Sequence, residues 1–277
     1  MLVNLIPEFL STLSAADPSA AYHEYLDRHH GILSAYWQNY VLDPESSHAE
    51  PIIENALRAD RSDLKRLLEA VDVVAIAEDA LRRATEILEA DCPVDLYLMV
   101  GVGAANAGEL VVGGRGVAFV CLEHFTGRAN AQTYGMGLVP QLLPLWIAHE
   151  VAHLLRYTSP SSRAALRRMV EELGGYYDGW ELGSRATLRE LDVFLRRAAA
   201  HDLDSSGLGL RLRYLSGGMS PAARLLAGKV LPERSGYYLG WRLVENYVGE
   251  HGAASTVRAA VEELRQADDR ASGIQTA

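Results

Sequence analysis

Residues 142–157, LLPLWIAHEVAHLLRY, constrain this chain more than any other stretch. They contain His149-Glu150-Val151-Ala152-His153, the H-E-x-x-H pattern. On a helix, residues four apart lie one above the other, so two imidazoles at this spacing converge on one ion. Glu150 sits about 100° round the helix from His149, close enough to a metal to handle the proton of a water without ligating. The flanks Leu142, Leu143, Leu145, Trp146, Ile147, Val151, Leu154 and Leu155 leave almost no polar face besides these three residues. Three ionisable groups in an apolar helix are costly to bury unless something satisfies them, and a divalent ion does so. Chance matches to the pattern fall mostly on exposed, charged helices. This one lies in an apolar helix entered through Pro140 and Pro144, where proline is tolerated. It reads as a zinc site held by His149 and His153.

Composition narrows the setting. The 277 residues are 49% apolar and 22% charged, as in ordinary globular chains. A net charge of −10 argues against nucleic acid or an anionic membrane surface as partner, since both reward clustered Lys and Arg. Cys92 and Cys121 are the two cysteines, each in an apolar run, and read as buried thiols of a reducing compartment. The start, MLVNLIPEFLSTLS, has no basic region, and Pro7 and Glu8 interrupt it, so it does not read as a signal peptide. No apolar run is long enough to span a bilayer. The expectation is a cytoplasmic protein.

Three organisational blocks are expected: an N-terminal helical portion over residues 1–90, a catalytic domain over 91–266, and a flexible tail over 267–277. Within the first, Asp17-Pro18-Ser19 caps a helical pattern over 18–42. Two further patterns follow at about 51–59 and 62–90, the latter with Ser62 as N-cap and a break near 71–75, where β-branched residues cluster. His29 and His30 are adjacent, point apart on a helix, and read as packing residues. Residues 94–103 (VDLYLMVGVG) and 114–125 (GRGVAFVCLEHF) read as strands, separated by the Gly-rich AANAGELVVGG, and Gly101–Gly103 reads as a loop or hairpin crossing. Gly101-Val102-Gly103 suggests a dinucleotide loop, but position 106 is Asn where the third glycine would stand. His124 reads as a strand-end residue within possible reach of the site. Beyond the metal helix, 161–173 and 187–201 look helical, 174–186 is an aromatic-rich packing loop, and 202–220 is a loop with a short strand at 208–215. Residues 232–248 open from a loop into a helix, and a last helix covers 253–267.

Several of these pieces together resemble a known family. The His149–His153 motif, the runs VDLYLMVG and GVAFVCLEHF, and the block Ser235-Gly236-Tyr237-Tyr238-Leu239-Gly240 are similar to the bacterial predicted zinc-dependent proteases, zincins with H-E-x-x-H and a later G-Y-x-x-G block. The resemblance extends from about residue 20 to 250. It implies an α+β, helix-rich, zincin-like metallopeptidase fold with a small mixed sheet and one zinc. It carries over His149 and His153 as ligands, Glu150 as general base and Tyr237 as an oxyanion-stabilising hydroxyl. Zincins also pair an extended substrate with a sheet edge beside the metal helix, and GVAFVCLEHF is the candidate edge.

The chain departs from the family downstream. Thr187-Leu188-Arg189-Glu190-Leu191 begins the helix that carries an E-G-L-A ligand block in family members, but continues Asp192-Val193-Phe194. A catalytic zinc takes three protein ligands and a water. Glu172 is the first substitute, because eighteen residues separate it from His153, the spacing of gluzincins. Glu190 is second, and Glu171, Asp178, Glu181 and Asp192 follow, each against the plain alternative of a solvated helix-surface acid. The expected function is zinc-dependent hydrolysis of a peptide or amide bond, with a peptide or small amide as substrate. The alternatives are a degenerate zincin-like scaffold with a binding or regulatory role, and a zinc-dependent amidohydrolase acting on a small molecule in biosynthesis. Nothing in the residues specifies the oligomeric state.

Overall fold

The computed structural model describes residues 1–113, 115–158, 235–260, 262–264 and 266–267. The fold is mixed α+β and helix-rich, around a small mixed sheet. Among the described residues four strands make this sheet: β1 (Leu2–Asn4), β2 (Val94–Met99), β3 (Ala107–Val112) and β4 (Arg115–Cys121). Their spatial order is β1-β2-β4-β3. β1, β2 and β4 run parallel, whereas β3 returns antiparallel beside β4 with Glu109 opposite Ala118. Parallel strands buried on both faces read as continuous apolar runs, and in β4 every residue from Val117 to Cys121 is buried.

The expected placement of GVAFVCLEHF at a sheet edge is corrected here. β4 lies inside the sheet, bonded on both sides, and the four residues that follow it, Leu122–Phe125, form a 3-10 segment. The edge strands are β1 and β3, and β3 is drawn from the Gly-rich stretch expected only to separate the two runs. A tight turn through Gly113, at φ +56°, joins Val112 to Arg115. A left-handed φ of that kind favours glycine.

The helices before β2 are α1 (Ile6–Thr12), α2 (Pro18–Arg28), α3 (His30–Tyr36), α4 (Ala49–Arg58), α5 (Ser62–Ala70) and α6 (Val73–Ile87). Asp17 caps α2 by accepting from the Ala20 N–H at 3.0 Å, as expected. The single helix expected over 18–42 is divided at His29 and finishes in a π-helical turn, Trp37–Val41. The break expected near 71–75 falls at extended Val71, after which Asp72 caps α6 through the Ala75 N–H. Ser62 is not the cap of α5; it is the first helical residue, held by the Asp60 carboxylate through both its N–H and its hydroxyl. His29 pairs with Glu8 and packs on Tyr25, in line with a packing role. Tyr36 and Tyr40 stack on each other, and both meet Phe119 of β4 edge-on, at centroid distances of 5.3 and 5.0 Å.

The metal-motif helix, α7 (Leu143–Thr158), follows a 3-10 turn at Pro140–Leu142, and α8 (Ser235–Thr256) is the next described helix. The chain divides into two compact units, Met1–Leu154 and Leu155–Ala277. The boundary expected near residue 90 falls inside the first, where β1 pairs with β2 across more than ninety residues of chain. In the second, α8 kinks at Gly252, with φ +76°. Val244, Ala259 and Leu264 form a core there with Trp241, Tyr247 and Val248 against it, and the Arg156 guanidinium donates to the Ala259 carbonyl at 3.2 Å. Cys121 is buried, as expected, but Cys92 is only half-buried and precedes β2. Among the described residues no helix is long and apolar enough to cross a membrane.

Candidate metal centre

α7 buries Leu143, Ile147, Val151, Leu154 and Leu155 to 1% exposure or less, a stripe at helical spacing. Leu154 packs over Gly116 of β4, where an added Cβ would lie 3.2 Å from its Cδ2. The helix is not buried all round, contrary to expectation. Leu145 is 51% exposed and Trp146 half-buried, the latter edge-on to Phe125 at 5.8 Å. The stripe leaves Glu150 and His153 on a nearly covered face, at 6% and 9% exposure, with His149 half-buried beside them.

The two imidazoles do converge. Their ring centroids are 4.6 Å apart and nearly perpendicular, and Nε2 faces Nε2 at 3.0 Å. Two nitrogens each about 2.0–2.1 Å from one ion lie roughly 3–3.4 Å apart, so the separation suits shared coordination. It equally suits an N–H···N bond between neutral rings.

Glu109 neighbours His153. Glu109 and Ala118 pair across the β3–β4 ladder, and Ala118 lies two residues from Gly116, so all three share the sheet face on which Leu154 packs. One ligand atom each from Glu109, Glu150 and His153 lies within 4.8 Å of the others. Two carboxylates and the His153 imidazole are thus gathered between β3 and α7, with His149 joined to the group through its 3.0 Å approach to His153; oxygen and nitrogen donors of this kind suit a divalent cation.

The opposite face of β3 explains how Glu109 is held. Gly108 has no side chain, and a Cβ there would lie 2.4 Å from the Tyr40 hydroxyl and 2.7 Å from the Phe119 ring. That gap admits Tyr40, whose hydroxyl donates to the Glu109 carbonyl at 3.1 Å. Burial holds the Tyr40 hydroxyl well above the usual phenol range, and the nearby Glu109 and Glu150 charges push it further the same way. Neither Glu109 nor Tyr40 figures in the sequence reading. The available signal was Gly113-Gly114 between VV and RGVAFV, a hairpin signature that makes AGELVV a strand.

His124 belongs to a separate buried cluster. It is 3% exposed, and burial first, then the Arg61 charge, lowers its pKa to about 4, so the ring is neutral. Its 4.0 Å approach to Glu123 is therefore proximity and not an ion pair. Glu123, 1% exposed, has its pKa raised to about 7 by burial, against the opposing Arg61 charge and the Gly101 N–H that donates to Oε1 at 2.9 Å. Glycine at 101 answers a packing need: a Cβ would lie 2.8 Å from both Cys121 Sγ and the Tyr36 hydroxyl. That accounts for Gly101 without a nucleotide.

Glu172, Glu190, Glu171, Asp178, Glu181 and Asp192 lie outside the described residues, as do the helices and loops expected across 161–220 and the tail beyond 267. Tyr237 falls in α8, described there for its backbone alone. No protein-family model matches the chain, and no curated protein or solved structure matches it either.

Proposed function

We propose that the chain is a zinc-dependent hydrolase of peptide or amide bonds, with a zincin-like domain built on α7 and the sheet. The observation that carries this reading is the facing of His149 Nε2 and His153 Nε2 at 3.0 Å, with Glu150 buried on the same helix. The two nitrogens fit a tetrahedral ion that leaves a position open for water or substrate. Bound there, zinc supplies a Lewis acid and makes a coordinated water more acidic than bulk water. Glu150 accepts the proton of the attacking water on its carboxylate and returns it to the leaving amine. The low exposure of Glu150 and His153 keeps competing water away, which strengthens each charge interaction. An extended substrate then has β3 as the strand edge to pair with. Tyr237 as oxyanion donor and the cytoplasmic setting rest on the sequence and on the family resemblance.

A non-hydrolytic binding scaffold is the second reading, favoured by the missing E-G-L-A block after Thr187-Leu188. Glu150→Gln separates the two. Assayed on a panel of peptides and N-acyl amides, wild type hydrolyses at least one, and Glu150→Gln retains zinc while its rate falls by about 10²–10⁴. Hydrolysis that survives this change sinks the role of Glu150, and a zinc-loaded wild type inert on the whole panel favours the scaffold.

A further inference from the structure

We propose that Glu109, on the edge strand β3, is the carboxylate ligand of the metal held by His149 and His153. The third ligand then comes from before the H-E-x-x-H helix and not from after it. This rests on the metal-centre reading above and deepens it.

Three observations converge on Glu109. The first is distance, since its carboxylate lies within 4.8 Å of ligand atoms of both His153 and Glu150. Carboxylate oxygens at this distance from an imidazole nitrogen are close enough to share one divalent cation after small side-chain adjustments. The second is the donor set. Two imidazoles and one carboxylate make a three-ligand catalytic site with an open position, and this frees Glu150 to act on water. The third is construction. The register that puts Glu109 opposite Ala118 turns its side chain to the α7 face, where a small cross-strand neighbour leaves it room. On the other face, Tyr40 fits over Gly108 and donates to the Glu109 carbonyl, which fixes the strand at this residue. Ligands borne by strands and helices hold their geometry better than ligands on loops.

The assignment explains how the chain can lack the downstream E-G-L-A block and still offer a complete ligand set. It also makes Tyr40 a positioning residue that acts through the Glu109 backbone.

The test is zinc affinity of the full chain, measured by competition with a chromophoric chelator and paired with the visible spectrum of the cobalt-substituted protein. Glu109→Gln is expected to weaken zinc at least about 100-fold and to alter the cobalt spectrum. Glu109→Asp recovers part of the affinity, because a carboxylate remains. Glu150→Gln and Glu172→Gln stay within a few-fold of wild type, and His153→Ala loses the site. Far-UV circular dichroism of the metal-free variants checks that each is folded. Wild-type affinity and spectrum in folded Glu109→Gln, with loss in His153→Ala, overturns the assignment while leaving the two-histidine centre standing. A large loss in Glu172→Gln with none in Glu109→Gln overturns it in favour of the downstream acid. No zinc in wild type overturns this assignment and the hydrolase reading together.

Discussion

Glu123 and His124 are adjacent, both buried, and both shifted toward their neutral forms, which sets how folding responds to pH. Glu123 ionises near pH 4.5 in the unfolded chain and near 7 in the fold. Between those values the unfolded state binds fewer protons, so this group's contribution to stability falls as pH rises. His124 titrates near 6.5 unfolded and about 4 folded, so its contribution falls as pH drops through that window. The two slopes oppose each other between about pH 4.5 and 6.5, and above that only the Glu123 penalty remains. Arg61, Cys121, Tyr22, Tyr25 and Tyr36 make up the surrounding charge and dipole field. Glu123→Gln keeps the acceptor for Gly101 and cannot ionise. By urea unfolding it should gain roughly 2–3 kcal/mol on wild type between about pH 4.5 and 8. A difference that does not change with pH contradicts this account. At this scale His149, Glu150 and His153 were legible because their spacing is itself geometry. Glu109 was not, since its partners are 41 and 44 positions later in the chain and no local pattern joins them.

Among the elements, β3 matters most, because it carries Glu109 and is an edge strand of the sheet among the described residues. Its fit depends on the missing side chain at Gly108. Gly108→Ala drives a methyl into Tyr40 and Phe119 and should cost about 1–3 kcal/mol in stability. Tyr40→Phe removes the atom nearest that methyl, so the double variant should be less destabilised than the sum of the two single changes. Strict additivity in a thermal or urea cycle contradicts the proposed close fit. β2 and α7 were readable from apolar runs and periodicity, and α2 from its aspartate cap, whereas the Asp72 cap of α6 went unread. β1 was not, because three residues carry no periodicity and their partner strand lies more than ninety residues away. The division of α2 from α3 at His29 likewise follows tertiary packing, with His29 held by Glu8 and Tyr25.

For the whole molecule, a metal bound only by the folded state links occupancy to stability. Free zinc at about 100 times its Kd should add roughly 2.7 kcal/mol. Calorimetry should show a higher Tm with zinc and a lower one with chelator, and His153→Ala should respond to neither. The mixed α+β class follows from the alternation of helical and strand patterns, whereas the division at Leu154 falls inside α7, where nothing local marks it. The most direct measurement of the central claim is elemental analysis of the purified chain beside His149→Ala and His153→Ala. One zinc per wild-type chain and none in either variant is the predicted result. Wild type that takes up no zinc even on reconstitution, or variants that keep it, would contradict the metal centre on α7.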